Sequence, residues 1–133
     1  MEKLILFGRS LGCAVAVELA TRHTAKAVLL ESPFTSVADM SRRTHPLLSL
    51  LLPPRLLVQS RFDSLSKMGR IESPVMVLHG DRDDIVPIEM GKELFDAANE
   101  PKRFYAIQGA GHNDTHLVGG ERYFAALREF IEG

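Results

Sequence analysis

The chain has 133 residues, a length typical of a single domain. Hydrophobic residues make up 45% of it and charged residues 25%, a balance that excludes a disordered or a membrane-embedded chain. The formal net charge of −1 excludes the strong positive field that bulk attraction to nucleic acid requires. We therefore predict one domain over residues 1–133, with no nucleic-acid partner and no transmembrane segment.

The first predicted element is a short buried strand that runs into a sharp turn. Residues 4–7 are apolar, residues 8–12 read Gly-Arg-Ser-Leu-Gly, and residues 13–20 have the composition of a helix. This strand–turn–helix context around G-x-S-x-G is typical of a nucleophile elbow, which lifts a serine hydroxyl clear of the sheet. Glycine is expected at positions 8 and 12 because the strained turn brings the residues on either side of Ser10 close together. Ser10 is thus a candidate nucleophile, and an ordinary turn serine is the alternative.

Three more apolar runs predict strands over residues 26–30, 74–78 and 103–107. Their apolarity is continuous, which is typical of parallel strands covered on both faces. Helices are predicted over residues 88–99 and 121–131, the second with Phe124, Leu127 and Ile131 on its buried stripe. Strands that alternate with helices indicate βαβ units and a parallel sheet.

The segment between the second and third strands is the most apolar part of the chain. Pro53 and Pro54 prevent one continuous helix over residues 45–58. Residues 36–40 and 62–71 are compatible with short helices on either side of it. One interpretation is a connecting helical segment over residues 45–70 that packs on the domain. The other is a lid over a pocket, or an apolar face that contacts an acyl chain or lipid.

Side chains that can act as a nucleophile, an acid or a base follow three of the four predicted strands. Ser10 follows the first strand, an acidic cluster at residues 81–84 follows the third, and His112 follows the fourth. Parallel strands present their carboxyl ends at one edge of the sheet, where ligands bind. A serine needs a base to take its proton, and a neutral imidazole held by a carboxylate supplies one. The spacing alone leaves Asp83 and Asp84 open as that carboxylate.

Residues 8–12, 31–35, 79–87 and 109–113 are similar to the signatures of the small α/β-hydrolase-domain family of serine hydrolases, related to the prolyl-oligopeptidase and dienelactone-hydrolase branches. The resemblance implies the carboxyl-terminal half of that fold: about four parallel strands flanked by helices, with the amino-terminal strands missing. It implies Asp83 as the orienting acid, with Asp84 the alternative, and His112 as the base. It also implies the backbone N–H of Leu11 as an oxyanion donor, whereas the second donor normally lies in an earlier loop that this chain lacks.

The resemblance implies a serine hydrolase acting on a small-molecule acyl ester or thioester, or an amide, with no cofactor and no metal. His112 and His116 have the spacing of helical metal ligands, but Gly109 and Gly111 indicate a loop there. His79 is interpreted as a structural residue. The alternative function is a truncated, non-catalytic half-domain that acts only by association, including self-association through an open sheet edge.

The single cysteine, Cys13, excludes an intrachain disulfide and favours a reducing compartment, so we predict a cytoplasmic protein. Its position after the elbow is typical of a small residue that packs a helix on a sheet. A reactive thiol is the alternative, because helix amino termini stabilise thiolates.

Overall fold

The computed structural model of the protein describes residues 4–36 and 63–133. Within these ranges the chain alternates strands and helices, as the sequence predicts. The elements in chain order are β1 (Ile5–Arg9), α1 (Gly12–Arg22), β2 (Ala27–Glu31), a 3-10 helix (Leu65–Arg70), β3 (Val75–Gly80), α2 (Ile88–Ala97), β4 (Lys102–Ile107) and α3 (Thr115–Glu132).

The four strands form one parallel sheet in the order β1-β2-β3-β4. Ile5 pairs with Ala27 where β1 meets β2, and Val28 pairs with Val75 where β2 meets β3. Val75 in turn pairs with Lys102 of β4. The predicted parallel α/β sheet is therefore confirmed, and the carboxyl ends of all four strands lie along one edge.

Both faces of the central strands are covered, which explains their uninterrupted apolar sequences. Alternate residues of β2 and β3, such as Val28 and Val77, pack against α1, α2 and the 3-10 helix. The intervening residues, such as Leu29 and Met76, pack against α3. All five residues of β2 and all six of β3 are buried.

The prediction that the first strand is buried is wrong for β1, whereas its predicted place at an open edge of the sheet is confirmed for the described residues. Leu4, Ile5 and Phe7 are exposed, and Phe7 retains 47% of its accessible surface. The reason is its place at the edge of the sheet, where only β2 pairs with it. On the opposite face of the sheet from Phe7, Val15 and Leu19 of α1 are exposed as well and lie four residues apart on one side of the helix. We call Leu4, Ile5, Phe7, Val15 and Leu19 the edge face.

The closing helix differs from its prediction in both extent and buried stripe. α3 begins at Thr115 and contains a break at Gly120, whose φ of 55° is not helical. Phe124 is 49% exposed, whereas Tyr123 beside it is buried. Leu127 and Ile131 do pack against the core, as predicted. Tyr123 replaces Phe124 because its hydroxyl donates a hydrogen bond to the buried carboxylate of Glu31.

Most of the apolar connection between β2 and β3 lies outside the described residues. This includes residues 37–40 of the first short helix and residues 45–62 of the interpreted lid. Of the described residues before β3, 65–70 form the 3-10 helix, which packs Met68 into the core. Within residues 4–36 and 63–133, no helix combines the length and the apolar character that crossing a membrane would need.

Candidate active site

The turn between β1 and α1 holds Ser10 in a strained conformation. Its φ of 52° lies in the left-handed region, which costs a non-glycine residue about 1–3 kcal/mol. The backbone N–H of Ser10 donates to the carbonyl oxygen of Glu31 over 2.9 Å, which fastens the turn to the end of β2. A Cβ on Gly8 would lie 2.7 Å from the Cα of Cys13, so the turn requires glycine there. A Cβ on Gly12 would meet nothing within 4 Å, so the expected steric need at that position is wrong.

The structure brings Ser10, His112 and Asp83 into one hydrogen-bonded series. His112 Nε2 lies 3.1 Å from Ser10 Oγ, and His112 Nδ1 lies 2.8 Å from Asp83 Oδ2. A carboxylate only accepts, so Nδ1 carries the proton and Nε2 is free to accept from the serine hydroxyl. Asp84, the alternative acid in the sequence, has an exposed side chain in the same loop.

The Asp83 carboxylate is inaccessible to solvent and receives hydrogen bonds on both oxygens. Oδ1 accepts the backbone N–H groups of Ile85 and Val86, at 2.9 and 2.8 Å. Burial by itself raises the pKa of Asp83, but hydrogen bonds from His79, His112 and these two amides outweigh it and hold the pKa well below its usual range. The carboxylate is therefore ionised at neutral pH, as an orienting acid must be.

His79 is a second histidine that contacts the Asp83 carboxylate. Its ring is fully buried, and Nε2 lies 2.7 Å from the carbonyl oxygen of Val86 and 3.4 Å from Asp83 Oδ2. A carbonyl only accepts, so Nε2 is the donor and the tautomer is fixed. Nδ1 faces Gly91 of α2, where an added Cβ would approach to 2.6 Å. His79 stays a structural residue in our interpretation, with a specific task that the sequence did not predict: it supports the loop that carries Asp83.

The loops that follow β3 and β4 meet through a close backbone contact. A Cβ on Gly80 would lie 2.4 Å from the carbonyl oxygen of Ala110. Arg82 N–H donates to that same oxygen over 2.9 Å, and Asp81 accepts the N–H of Gly109 over 2.8 Å. These contacts hold the two loops together, which brings Asp83 within hydrogen-bond distance of the His112 imidazole.

The sequence did not predict a role for two residues at the carboxyl ends of the strands, Arg9 and Glu31. The Arg9 guanidinium contacts both Glu31, through Nε at 2.8 Å, and the backbone carbonyl of His112, through Nη2 at 3.0 Å. The sequence offers one usable signal for Glu31, a carboxylate directly after a continuous apolar strand. Arg9 stands at an unspecified position of G-x-S-x-G, and nothing in the motif marks it.

Leu11 and Cys13, which follow Ser10 in the chain, differ in whether they can take part in catalysis. In the described part of the chain, the backbone N–H of Leu11 makes no intramolecular hydrogen bond, which suits an oxyanion donor. Cys13 is buried, and burial raises the pKa of its thiol far above the usual range. The alternative of a reactive thiol is therefore not supported, and Cys13 packs α1 on the sheet.

Two further features bear on ligands. Among residues 4–36 and 63–133, no group of three or more His, Cys, Asp or Glu side chains is arranged to hold a metal ion. A groove of about 510 Å³ lies beside Lys26, Pro74 and Pro101. These residues precede β2, β3 and β4, so the groove is at the end of the sheet opposite Ser10.

Similar proteins share both the sequence and the fold. An uncharacterized protein of Mycobacterium tuberculosis is 40% identical over 129 residues, which cover 97% of this chain and 44% of that protein. The human alpha/beta hydrolase domain-containing protein 17B is 31% identical over 134 residues, covering 98% of this chain and 42% of that protein. The chain has the fold of the α/β-hydrolases and is similar to them in sequence over nearly its whole length. It spans less than half the length of these curated relatives.

Solved structures of α/β-hydrolases superpose on the chain. The esterase domain of a Rhodothermus marinus protein matches with a TM-score of 0.70 and 24% identity, over 96% of this chain and 60% of that one. A Pyrococcus furiosus esterase matches with a TM-score of 0.74 and 21% identity, over 98% and 53% of the two chains. The predicted partial α/β-hydrolase fold is thereby confirmed. No family model matches the chain.

Proposed function

We propose that this α/β-hydrolase chain is a serine hydrolase that cleaves acyl esters or thioesters, and amides more slowly. The observation that carries the proposal is the hydrogen-bonded series from Ser10 Oγ through His112 to Asp83, with distances of 3.1 and 2.8 Å. These lengths are within reach of direct proton transfer between nucleophile and base. We retain the prolyl-oligopeptidase and dienelactone-hydrolase branches as a prediction from sequence motifs, and the cytoplasm as a prediction from the single cysteine.

In the proposed reaction, Ser10 Oγ attacks the acyl carbonyl carbon while His112 Nε2 takes the hydroxyl proton. The Leu11 N–H donates to the oxygen that becomes negative. His112 then passes its proton to the leaving alcohol or thiol, and the C–O or C–S bond breaks to leave an acyl-Ser10 ester. A water gives a proton to His112 and attacks this ester, which releases the acid and restores Ser10. Asp83 stabilises the imidazolium at each transfer.

The proposed substrate preference rests on the activities of proteins that share the fold, together with the chemistry of Ser10 and His112. Solved relatives of the same fold include the two esterases and a monoacylglycerol lipase from Paleococcus ferrophilus. A puromycin-hydrolyzing peptidase of Mycobacterium tuberculosis shares the fold as well. We therefore propose esters as the principal substrates and keep amides as secondary ones.

The experiment is hydrolysis of p-nitrophenyl esters with acyl chains of two to twelve carbons by the parent chain and by Ser10→Ala. We expect kcat/KM to fall at least about 1,000-fold in Ser10→Ala, since the base has no other nucleophile to activate. The control is Ser66→Ala, which removes an exposed hydroxyl on the 3-10 helix. Equal activity in the parent and in Ser10→Ala would exclude the proposal.

The edge face supports a second candidate function, association without catalysis. An unpaired strand edge with exposed apolar side chains is a site where another chain can add. In that case the chain works as a half-domain bound to a partner or to a second copy. The two candidates are separated by activity: a folded chain that associates but leaves p-nitrophenyl esters intact favours the second.

A further inference from the structure

The Arg9 guanidinium joins the two loops that carry Ser10 and His112. Arg9 precedes Ser10 directly, and its Nη2 donates to the backbone carbonyl of His112 over 3.0 Å. Its Nε lies 2.8 Å from Glu31 Oε2. The planar fork of an arginine makes both contacts at once, which a lysine ammonium on the same stem does less well.

Glu31 fastens the same two loops from the interior. Glu31 is only 2% exposed. Its carboxylate accepts hydrogen bonds from Thr115 Oγ1 at 2.9 Å and from the Tyr123 hydroxyl. Thr115 lies three residues after His112. The backbone oxygen of Glu31 accepts the N–H of Ser10. One buried residue thus contacts the nucleophile's turn and the chain that follows the base.

We propose that Arg9 and Glu31 are positioning residues that hold the imidazole of His112 against Ser10, an inference that rests on the proposed hydrolytic role of these two side chains. The loop before His112 contains Gly109 and Gly111 and needs external support. Asp83 fixes the ring through Nδ1, while Arg9 fixes the backbone from which the ring extends. A displacement of about 1 Å between reacting groups costs on the order of 100-fold in rate.

The molecule contains a matched pair for comparison. Arg22 and Glu18 on α1 make an arginine–carboxylate contact of the same length, 2.8 Å, on the surface of the helix. Neither residue contacts Ser10, His112 or their loops. Arg22→Met therefore removes the same chemical groups as Arg9→Met without touching the site.

The experiment compares the parent chain with Arg9→Met, Arg9→Lys and Arg22→Met by two measurements. The first is proton NMR of the His112 Nδ1–H, which is strongly deshielded while it donates to Asp83. The second is the rate of Ser10 labelling by a fluorophosphonate probe. In Arg9→Met we expect the resonance to broaden beyond detection and labelling to slow about 10- to 100-fold. In Arg22→Met we expect both to match the parent.

Thermal melting separates positioning from unfolding. Arg9→Lys keeps a cation beside the buried Glu31 carboxylate, so its midpoint should stay within about 5 °C of the parent. Labelling of Ser10 in Arg9→Lys should still be slower, about 3- to 30-fold, because a lysine ammonium does not reach the His112 carbonyl and the Glu31 carboxylate together as the arginine guanidinium does. A folded Arg9→Lys and a folded Arg9→Met that both keep the parent resonance would overturn the inference, as would a parent chain without that resonance.

The two proposals fail in different ways. A parent that is not labelled, but whose resonance depends on Arg9, excludes the hydrolase and keeps the positioning role. A parent that is labelled at Ser10, with Arg9→Met labelled at the same rate, keeps the hydrolase and overturns the positioning role.

Discussion

At the scale of single residues, His79 and Asp83 are mutually dependent. The ring of His79 is held between the Val86 carbonyl and Gly91, so it has no room to move away from the carboxylate. The sequence interprets His79 as structural because it ends a strand beside a glycine. Only the coordinates reveal that its buried Nε2 also faces the candidate acid.

Gly91→Ala tests this support. The new methyl group would lie 2.6 Å from His79 Nδ1, and overpacking of this kind destabilises by about 1–3 kcal/mol. We expect a lower free energy of unfolding in urea and slower labelling of Ser10. Gly69→Ala is the control, because its methyl group meets nothing within 4 Å. Equal stability of the two variants would mean that the ring shifts freely, contrary to the account.

Asp83 makes the stability of the chain depend on pH in a defined direction. Its folded pKa is held below the unfolded value of about 3.9, so the unfolded state binds more protons between the two values. The stabilisation is complete above about pH 5 and is lost progressively as the pH falls from about 4 towards the lowered folded pKa.

The measurement is the free energy of unfolding of the parent and of Asp83→Asn at about pH 7 and at about pH 2. We expect the parent to be more stable by about 2 kcal/mol at pH 7, with a much smaller difference at pH 2, where the pH approaches the lowered folded pKa. Asp84→Asn, a change in the exposed neighbour, serves as the control and should differ little from the parent at either pH. A gap between parent and Asp83→Asn that is unchanged in acid would contradict the depressed pKa.

At the scale of elements, the glycines on either side of Ser10 have different roles. A Cβ on Gly8 would lie 2.7 Å from backbone atoms of Gly12 and Cys13, which have no rotamer by which to move away. Gly12 begins α1 with open space around its Cα. The motif presents both positions as glycine, so the sequence does not distinguish them.

Gly8→Ala and Gly12→Ala are therefore a matched pair. We expect Gly8→Ala to unfold the turn, with a loss of more than about 2 kcal/mol and no labelling of Ser10. Gly12→Ala should keep the fold and gain up to about 1 kcal/mol, since alanine favours a helix over glycine. The free energies come from urea titrations. Similar losses in both variants would contradict the geometry of the turn.

The elements themselves are largely predictable from sequence. The continuous apolar runs locate the strands because parallel strands are buried on both faces. The extended start of α3 is not predictable from apolar periodicity, since Gly120 interrupts the helix. The burial of Tyr123 in place of Phe124 depends on a hydrogen bond to Glu31, a residue that lies 92 positions away in the chain.

At the scale of the whole molecule, the edge face is the feature that the described chain leaves uncovered. Phe7 extends from one face of β1, whereas Val15 and Leu19 belong to α1 on the other face; all three are exposed, and exposed apolar residues of this kind mark sites of association. We propose that a second copy of the chain covers this face.

Replacing Val15 and Leu19 together with lysine tests that proposal. We expect the parent to self-associate with rising concentration in sedimentation velocity, and the double variant to remain smaller, because two charges oppose burial. Leu117→Lys, a change in an exposed residue of α3, controls for added charge. A parent that sediments as a monomer at every concentration would exclude self-association through the edge face.

The central claim is that Ser10 is a nucleophile activated by His112 and oriented by Asp83. Its most direct test is labelling of the folded parent chain with a fluorophosphonate probe, with the modified residue located by peptide mass spectrometry. The account predicts one adduct, on Ser10, formed at least about 100-fold more slowly in His112→Ala. A folded parent that takes up no probe, or that carries it on another residue, would contradict it.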